Sequence, residues 1–551
     1  MLFHVQLDGI DRTVALADFE DLVRAGEIGP ETPVRPVPRG APADAGAWVA
    51  AGTLPSFREV VRGPQMAVRR AWIDPPVPWM TALIVGICVR TYLWVQPGEA
   101  GRAITLKMTK WAPAILEKGE TWRLLTCALL HADLTHLLMN MIFLAWVGAA
   151  LESLIGWAGV GALFLVTVFG GSALSGAFSN EPSVGASGAD FGYLAAAAVI
   201  GWRFHDLMPA RARPRFGTAM VVYIAWSLVT GAFNERIDNL AHVGGVLAGT
   251  AFAAAIRPAA VQAWRAWNRG VVGATLAVVF AGTLAAGWIP APMAPVEADG
   301  VTAVRPESWR EGTTPSGDFG WVSPLDHATV VVRTLKGREP ADAGAVADGF
   351  LAAWRDAGTL AGEARTSRAD GLAFDATAAD RRIEGRVIVR GVYAHLVAVT
   401  WEADNPRLAR LAGRVLDAVA LAPTKAQRDV EGAGDGVLAR VARARVAADH
   451  GDVDGALALL AAAKASDPGG RGPVVAELEI ATRWERPGLD ALAEAALARH
   501  PDDAAVVEAA ADALLAAGAR ERALGAVDAA LARKPESRRL ARLRERLSQA
   551  P

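Results

Sequence analysis

The sequence predicts an α-helical polytopic membrane protein with soluble regions attached to its membrane part. Three observations lead there. Seven apolar stretches, each close to the length that crosses about 30 Å of hydrocarbon, fall between residues 77 and 289. Hydrophobic residues make up 52% of the 551, yet 21% are charged, so apolar blocks must be joined to soluble ones. After residue 290 the apolar stretches stop, and proline-rich, mixed and then alanine-rich helical sequence follows.

The apolar stretches are 77–95, 134–155, 157–178, 187–204, 216–233, 240–256 and 271–289. Any one of them could be a buried helix of a soluble protein, but seven in succession could not. Glycine and alanine are frequent within them, which suits close helix–helix approach in lipid. Arg69 and Arg70 precede the first stretch. Arg203, Arg211, Arg213 and Arg215 lie between the fourth and fifth, and Arg257, Arg265 and Arg269 between the sixth and seventh. The positive-inside rule makes these sites cytoplasmic. An odd number of spans then leaves residues 1–70 inside and everything after 290 outside. The loop 96–123 carries Arg102, Lys107, Lys110, Lys118 and Arg123 outward, against the rule, and three glutamates offset them in part.

The first residues, Met1 to Asp8, lack the basic and apolar regions of a cleavable signal peptide, so the first span is expected to do the targeting. Residues 1–64 read as a small cytoplasmic unit. Phe3 to Leu7 alternates as a strand does, Leu16 to Ala25 has helical spacing, and Gly26 stops it. Val34 and Trp48 are expected to complete its core. That order of strand, helix, Val and late Trp resembles the bacterial GYF-like domain, and a generic cytoplasmic cap is the alternative.

Residues 290–310, with Pro290, Pro292, Pro295 and Pro306, read as a linker. Residues 311–424 read as an α+β extracytoplasmic domain. Its strands are expected at Thr329 to Arg333, Val387 to Val389 and His395 to Trp401, its helices at 341–357 and 408–420. Residues 436–551 repeat. Gly451, Ala456, Ala463 and Pro468 recur as Gly518, Ala523, Ala530 and Pro535 at the same spacing, with Ala496 and Pro501 between, so the prolines stand 33 and 34 residues apart. This period resembles tetratricopeptide repeats, and an ordinary alanine-rich bundle is the alternative. Such repeats suggest a protein partner for the C-terminal region.

A net charge of −2 gives no reason to expect nucleic-acid binding, and two cysteines, Cys88 and Cys127, make neither a disulfide framework nor a CxxC metal site. The chemistry lies instead in polar residues near one end of three apolar stretches. His136 and Asn140 share a helix face in the second. Ser187, in Gly185-Ala186-Ser187-Gly188, opens the fourth, and His242 opens the sixth. Taken singly, each has a plain reading. A histidine or asparagine can serve as interhelical polar glue, worth roughly 0.6–2 kcal/mol, and Gly-x-Ser-Gly arises easily in a Gly/Ala-rich chain. Together they change the reading. All three stretches run from outside to inside, so the polar groups share one shallow depth, where polar residues are costly and call for a function. Gly245 and Gly249 form a small-residue face that brings the sixth helix, and His242 with it, against the fourth.

These residues resemble a family. Trp122-Arg123, then His131, His136, Asn140 and Glu152, is similar to the second-helix signature of rhomboid intramembrane serine proteases. Gly185-Ala186-Ser187-Gly188 resembles their GxSG motif, and Ala241-His242 with Gly245 and Gly249 their AHxxGxxxG helix. The resemblance covers residues 77–257 and implies a six-helix rhomboid core, which the seventh apolar stretch, 271–289, extends by one further transmembrane helix. It also implies that Ser187 is a nucleophile and His242 its base, a dyad without a carboxylate. His136, Asn140 and the Ser187 backbone N–H would bind the oxyanion, and Trp122 and Arg123 would belong to the first outer loop. Gly185 and Gly188 leave room for a substrate strand. Phe191 stands where the family has tyrosine, and its ring can still stack on His242. Asp190 either tunes His242 or meets water.

The function expected is therefore a serine endopeptidase that cuts transmembrane protein substrates near the outer face of a lipid bilayer, with no metal and no cofactor. The alternative is a catalytically inactive rhomboid-like scaffold that binds client helices. A transporter fits poorly, since no span is visibly broken by proline and no repeat relates two halves.

Overall fold

The computed structural model describes residues 1–38, 40–42, 45–95, 98–208, 216–234, 236–313, 319–325 and 327–549. Arg211, Arg213 and Arg215, which enter the orientation reading, lie outside the described residues. The chain divides into two units, Met1–Pro290 and Ala291–Pro551.

The first unit opens with a four-stranded sheet. Its strands β1 (Leu2–Leu7), β2 (Ile10–Ala15), β3 (Pro33–Val37) and β4 (Val49–Ala50) lie in the order β2-β1-β3-β4. Helix α1 (Leu16–Ala25) covers it, with Phe19 stacked on Phe3 at a centroid distance of 4.2 Å. Val5, Val23, Ile28 and Val34 complete the core. Gly26 ends α1 at φ 81°, a left-handed conformation that glycine adopts without strain. Trp48 departs from expectation. It is 40% exposed, with the Arg35 guanidinium over its ring at 5.1 Å, and does not join the core. Helices α2 (Pro55–Arg62) and α3 (Pro64–Ile73), each with proline in its first turn, lead to the apolar part.

That part contains α4 (Trp79–Val95), α5 (Gly98–Met108), α6 (Arg123–Thr126), α7 (Leu134–Phe143), α8 (Ala149–Phe178), α9 (Ser187–Arg203), α10 (Thr218–Gly231), α11 (Asn239–Ala255) and α12 (Arg265–Ala286). Among the described residues, two helical runs are long and apolar enough to cross a membrane by themselves, Leu134–Phe178 and Gln262–Ala286. The first joins α7 to α8 through a π-helical turn at Leu144–Gly148. Gly156, at φ 76° and ψ 166°, turns the chain inside α8 between the second and third apolar stretches. Helices α4, α10 and α11 are apolar but shorter. Helix α10 has 14 residues, fewer than the 216–233 stretch, because Gly217 at φ 77° precedes its first turn and the chain leaves the helix after Gly231.

Helix α9 is the hub of this part, with residues 188–198 all buried. A helix that is apolar on every side belongs at the centre of its bundle. Its closest neighbour is α11. A methyl group at Gly245 would overlap the Gly188 carbonyl oxygen, and one at Gly249 would overlap that of Gly192. Two backbones meet here with no side chain between them, which only glycine permits.

The second unit begins with a correction. The expected linker 290–310 holds strands β5 (Met293–Ala298) and β6 (Val301–Pro306), paired as a hairpin across Asp299-Gly300 with Gly300 at φ 89°. Asp-Gly between apolar residues is itself a hairpin signal, which the prolines masked. Strands β7 (Arg310–Thr313), β8 (Phe319–Val322), β9 (Ala328–Lys336), β10 (Leu360–Arg368), β11 (Gly371–Ala378), β12 (Arg381–Arg390) and β13 (Tyr393–Glu402) form one sheet, ordered β10-β11-β12-β13-β9-β8-β7. The strands expected at 387–389 and 395–401 lie within β12 and β13, the first at the C-terminal end of its strand, and the two pair antiparallel.

Helix α13 (Ala343–Asp356) packs Phe350 and Leu351 on that sheet, and α14 (Pro406–Asp417) buries Leu408, Leu411 and Val415. The helix expected to run to 420 stops earlier, and β14 (Ala420–Leu421) joins β6. Eight helices follow: α15 (Lys425–Glu431), α16 (Val437–Asp449), α17 (Val453–Ser466), α18 (Arg471–Arg483), α19 (Leu489–Arg499), α20 (Ala504–Ala516), α21 (Arg520–Arg533) and α22 (Arg538–Gln549). The repeated Ala456, Ala463, Ala523 and Ala530 are all buried.

Candidate active site

Ser187 is the first residue of α9 and His242 lies in the first turn of α11. The close glycine contact between the two helices lets these side chains meet, and Ser187 Oγ stands 2.9 Å from His242 Nε2. The other imidazole nitrogen, Nδ1, is 3.3 Å from Asn239 Oδ1. Asn239 Nδ2 donates to the Leu228 carbonyl at 3.1 Å, which orients the amide so that its oxygen faces the ring. A carbonyl oxygen can only accept, so Nδ1 carries the proton and Nε2 is left with the lone pair that accepts from the serine hydroxyl. Phe191 stacks on the same imidazole, rings 4.1 Å apart and 11° from parallel. The ring contact expected from Phe191 is present.

Two further polar residues border Ser187. Asp133 caps α7 by accepting the His136 N–H at 2.8 Å, and the Ala132 N–H points at His136 Nδ1 at 3.4 Å. With Nδ1 as the acceptor, His136 Nε2 is the donor. It lies against Gly185, where a methyl group would stand 2.7 Å from it. Gly185 is at φ 127°, and its N–H donates to the Cys127 carbonyl at 3.0 Å. Asn140 is 4% exposed. Its Nδ2 donates to the His136 carbonyl at 2.7 Å, while its Oδ1 has no hydrogen-bond partner among the described residues. Ser187, His242, Gly185, His136 and the backbone of Gly188 therefore gather at one end of α9 and α11.

Residues 118–259 match the rhomboid domain. The chain therefore carries a rhomboid domain over these residues. Its rhomboid domain makes it a polytopic helical protein of the membrane. It is 37% identical over 150 residues to RHOMBOID-like protein 1 of Arabidopsis thaliana, which covers 26% of this chain and 37% of that protein. Identity is 36% over 143 residues to Rhomboid protease GluP of Bacillus subtilis, covering 26% of this chain and 27% of the relative. It is 29% over 171 residues to Rhomboid-like protease 1 of Toxoplasma gondii, covering 30% and 56%. The matched segment thus spans less than half the length of the plant relatives, and residues 1–117 and 260–551 lie outside the match to the rhomboid domain.

Trp122 and Arg123 make their hydrogen bonds to the end of α5 and the segment that joins it to α6, not to Ser187 or His242. Trp122 Nε1 donates to the Lys107 carbonyl at 3.2 Å. Arg123, 4% exposed, donates to the carbonyls of Leu106 and Thr109 and to the Glu120 carboxylate. Glu152 serves the scaffold as well. Its carboxylate accepts the N–H groups of Met80 and Thr81, both at 2.9 Å, and the Thr81 hydroxyl at 2.8 Å, which satisfies the first turn of α4. The Cys127 thiol is buried and meets the Ser172 hydroxyl at 3.2 Å. Asp190 is 7% exposed, so it does not face bulk water.

Sequence reasoning missed Asn239. Its signal was available, since a residue three before His242 on a helix shares its face. Nothing in the sequence says which way the amide points; the Leu228 carbonyl on the preceding helix decides that.

Proposed function

We propose that the rhomboid domain is an intramembrane serine endopeptidase with Ser187 as nucleophile and His242 as general base. The observation that carries this reading is the 2.9 Å contact between Ser187 Oγ and His242 Nε2, on an imidazole whose far nitrogen is held by Asn239. As Ser187 Oγ attacks a substrate carbonyl, its proton passes to His242 Nε2. The same proton then goes to the leaving amine, and water hydrolyses the acyl-enzyme by the reverse sequence. His136 Nε2–H, the Ser187 backbone N–H and the Asn140 amide are the donors for the oxyanion. The Asn140 amide serves by turning from the His136 carbonyl. In a water-poor site each such donor is worth roughly 3–4 kcal/mol of barrier. The reaction needs neither metal nor cofactor.

In this reading the six-helix core and one further span sit in a bacterial plasma membrane, with the N-terminal unit cytoplasmic and the region after 290 outside. The substrates are transmembrane proteins whose helix unwinds near the outer face. The C-terminal helices bind a protein partner that influences substrate choice. The test is a fluorophosphonate probe on the full chain in liposomes, with cleavage of a transmembrane reporter measured alongside. Labelling and cleavage both absent in Ser187→Ala and His242→Ala are the expected result. Normal cleavage by the Ser187→Ala protein would exclude this nucleophile.

A further inference from the structure

Lys110 lies in the loop between α5 and α6, yet its side chain is only 1% exposed. A buried ammonium left without partners is strongly disfavoured, and this one is held on several sides. Nζ donates to the Glu181 carbonyl at 2.9 Å and lies 3.6 Å from Asp238 Oδ2. The Lys110 backbone also forms an antiparallel bridge with Ser183, with N–H to O distances of 3.1 and 2.9 Å in the two directions. Glu181 and Ser183 belong to the segment that runs into Ser187.

Asp238 belongs to the other side of the dyad. It caps α11, with Oδ1 accepting the Ala241 N–H at 3.0 Å and its backbone carbonyl accepting the His242 N–H at 3.2 Å. Its Oδ2 accepts the Ser175 hydroxyl at the end of α8 at 2.6 Å, and the Ser183 side chain bonds the same carboxylate. One cation thus ties the strand-like approach to the nucleophile to the first turn of the helix that carries the base. The glycine faces of α9 and α11 set how close the two helices come. Smooth glycine faces do little to fix how far one slides along the other, and a charged tie at the dyad's end of both helices does fix it.

We infer that Lys110 and Asp238 form a strut that sets the register of Ser187 against His242, making both of them positioning residues for the proposed reaction. The inference rests on the dyad reading above. Misplacing reacting groups by about 1 Å costs on the order of a hundredfold in rate, and the strut is the element that prevents it.

The test uses the full chain in liposomes, comparing wild type with Lys110→Met, Asp238→Asn, the double variant and Lys110→Arg. For Lys110→Met, kcat and the fluorophosphonate labelling rate should both fall roughly a hundredfold, with KM within about threefold of wild type. Asp238→Asn keeps the cap but not the charge, and should fall in the same direction. The double variant should lose less than the two single losses combined, because no unpaired charge remains buried. Lys110→Arg should recover most of the rate. Amide exchange should quicken together in residues 183–189 and 238–242. A Lys110→Met protein with near wild-type kcat, or one whose faster exchange is confined to its own loop, would overturn the strut. If wild type does not label at Ser187, the dyad reading fails, and the coupled exchange still decides the strut separately.

Discussion

Asn239 Oδ1 faces His242 Nδ1 at 3.3 Å, and the amide is fixed in that orientation by its own bond to Leu228. The pairing leaves Nε2 as the lone-pair nitrogen opposite Ser187. Asn239→Ala should therefore lower kcat roughly tenfold, about 1.4 kcal/mol of barrier, with little change in KM. Steady-state cleavage of a transmembrane reporter measures this. Unchanged kcat would mean that the tautomer is set elsewhere.

Gly245 tests the approach of α9 and α11. Its missing side chain leaves space already filled by the Gly188 carbonyl. Gly245→Val must push the helices apart, and a displacement near 1 Å at the dyad should cost on the order of a hundredfold in labelling rate. Gly273, with nothing within 4 Å of an added methyl, is the control, since Gly273→Ala should label as wild type does. Equal labelling of both variants would refute the contact.

Glu152 is a scaffold residue in this structure, and its effect should separate from catalysis. Glu152→Ala removes a buried acceptor from two backbone N–H groups and a hydroxyl. Bonds to a charged group are worth about 1.5–3 kcal/mol each, so a loss of about 3 kcal/mol in stability is expected. Thermal unfolding in detergent should show it. The protein that remains folded should keep its turnover number, and a lost turnover number at full stability would contradict the assignment.

The second unit should be sensitive to acid. Burial lowers His395 from 6.5 to about 4, and His450 is lowered for the same reason. Both rings stack on Tyr393, and His395 Nδ1 bonds the Thr334 hydroxyl at 3.0 Å. A folded-state value below the unfolded one means that the unfolded chain binds protons more readily. Stability from His395 is thus present above pH 6.5 and lost as pH falls toward about 4. Amide exchange in β13 and α16 should rise over that range, and His395→Gln should flatten the dependence.

Much of the candidate site was legible because its residues carry chemistry that apolar segments otherwise exclude. Ser187, His136, Asn140 and His242 stood out for that reason, and Gly245 and Gly249 announced the close helix contact. Less was legible outside the apolar part. The hairpin β5–β6 hid behind prolines, and β10 is an exposed edge strand whose residues after Leu360 are all small or polar, with no alternation to read. Trp48 was assigned to a core by residue type alone, while its neighbour Arg35 draws it to the surface.

The sequence by itself determined which segments are apolar, where the reactive groups sit along them and which helix faces are smooth enough to touch. Tertiary structure decided which nitrogen of His242 faces Ser187, which way Asn239 turns and that Lys110 is buried beside Asp238. Periodicity and residue type are properties of one segment. Tautomer, amide orientation and ion pairing depend on what a different segment places a few ångströms away, and no single segment encodes that.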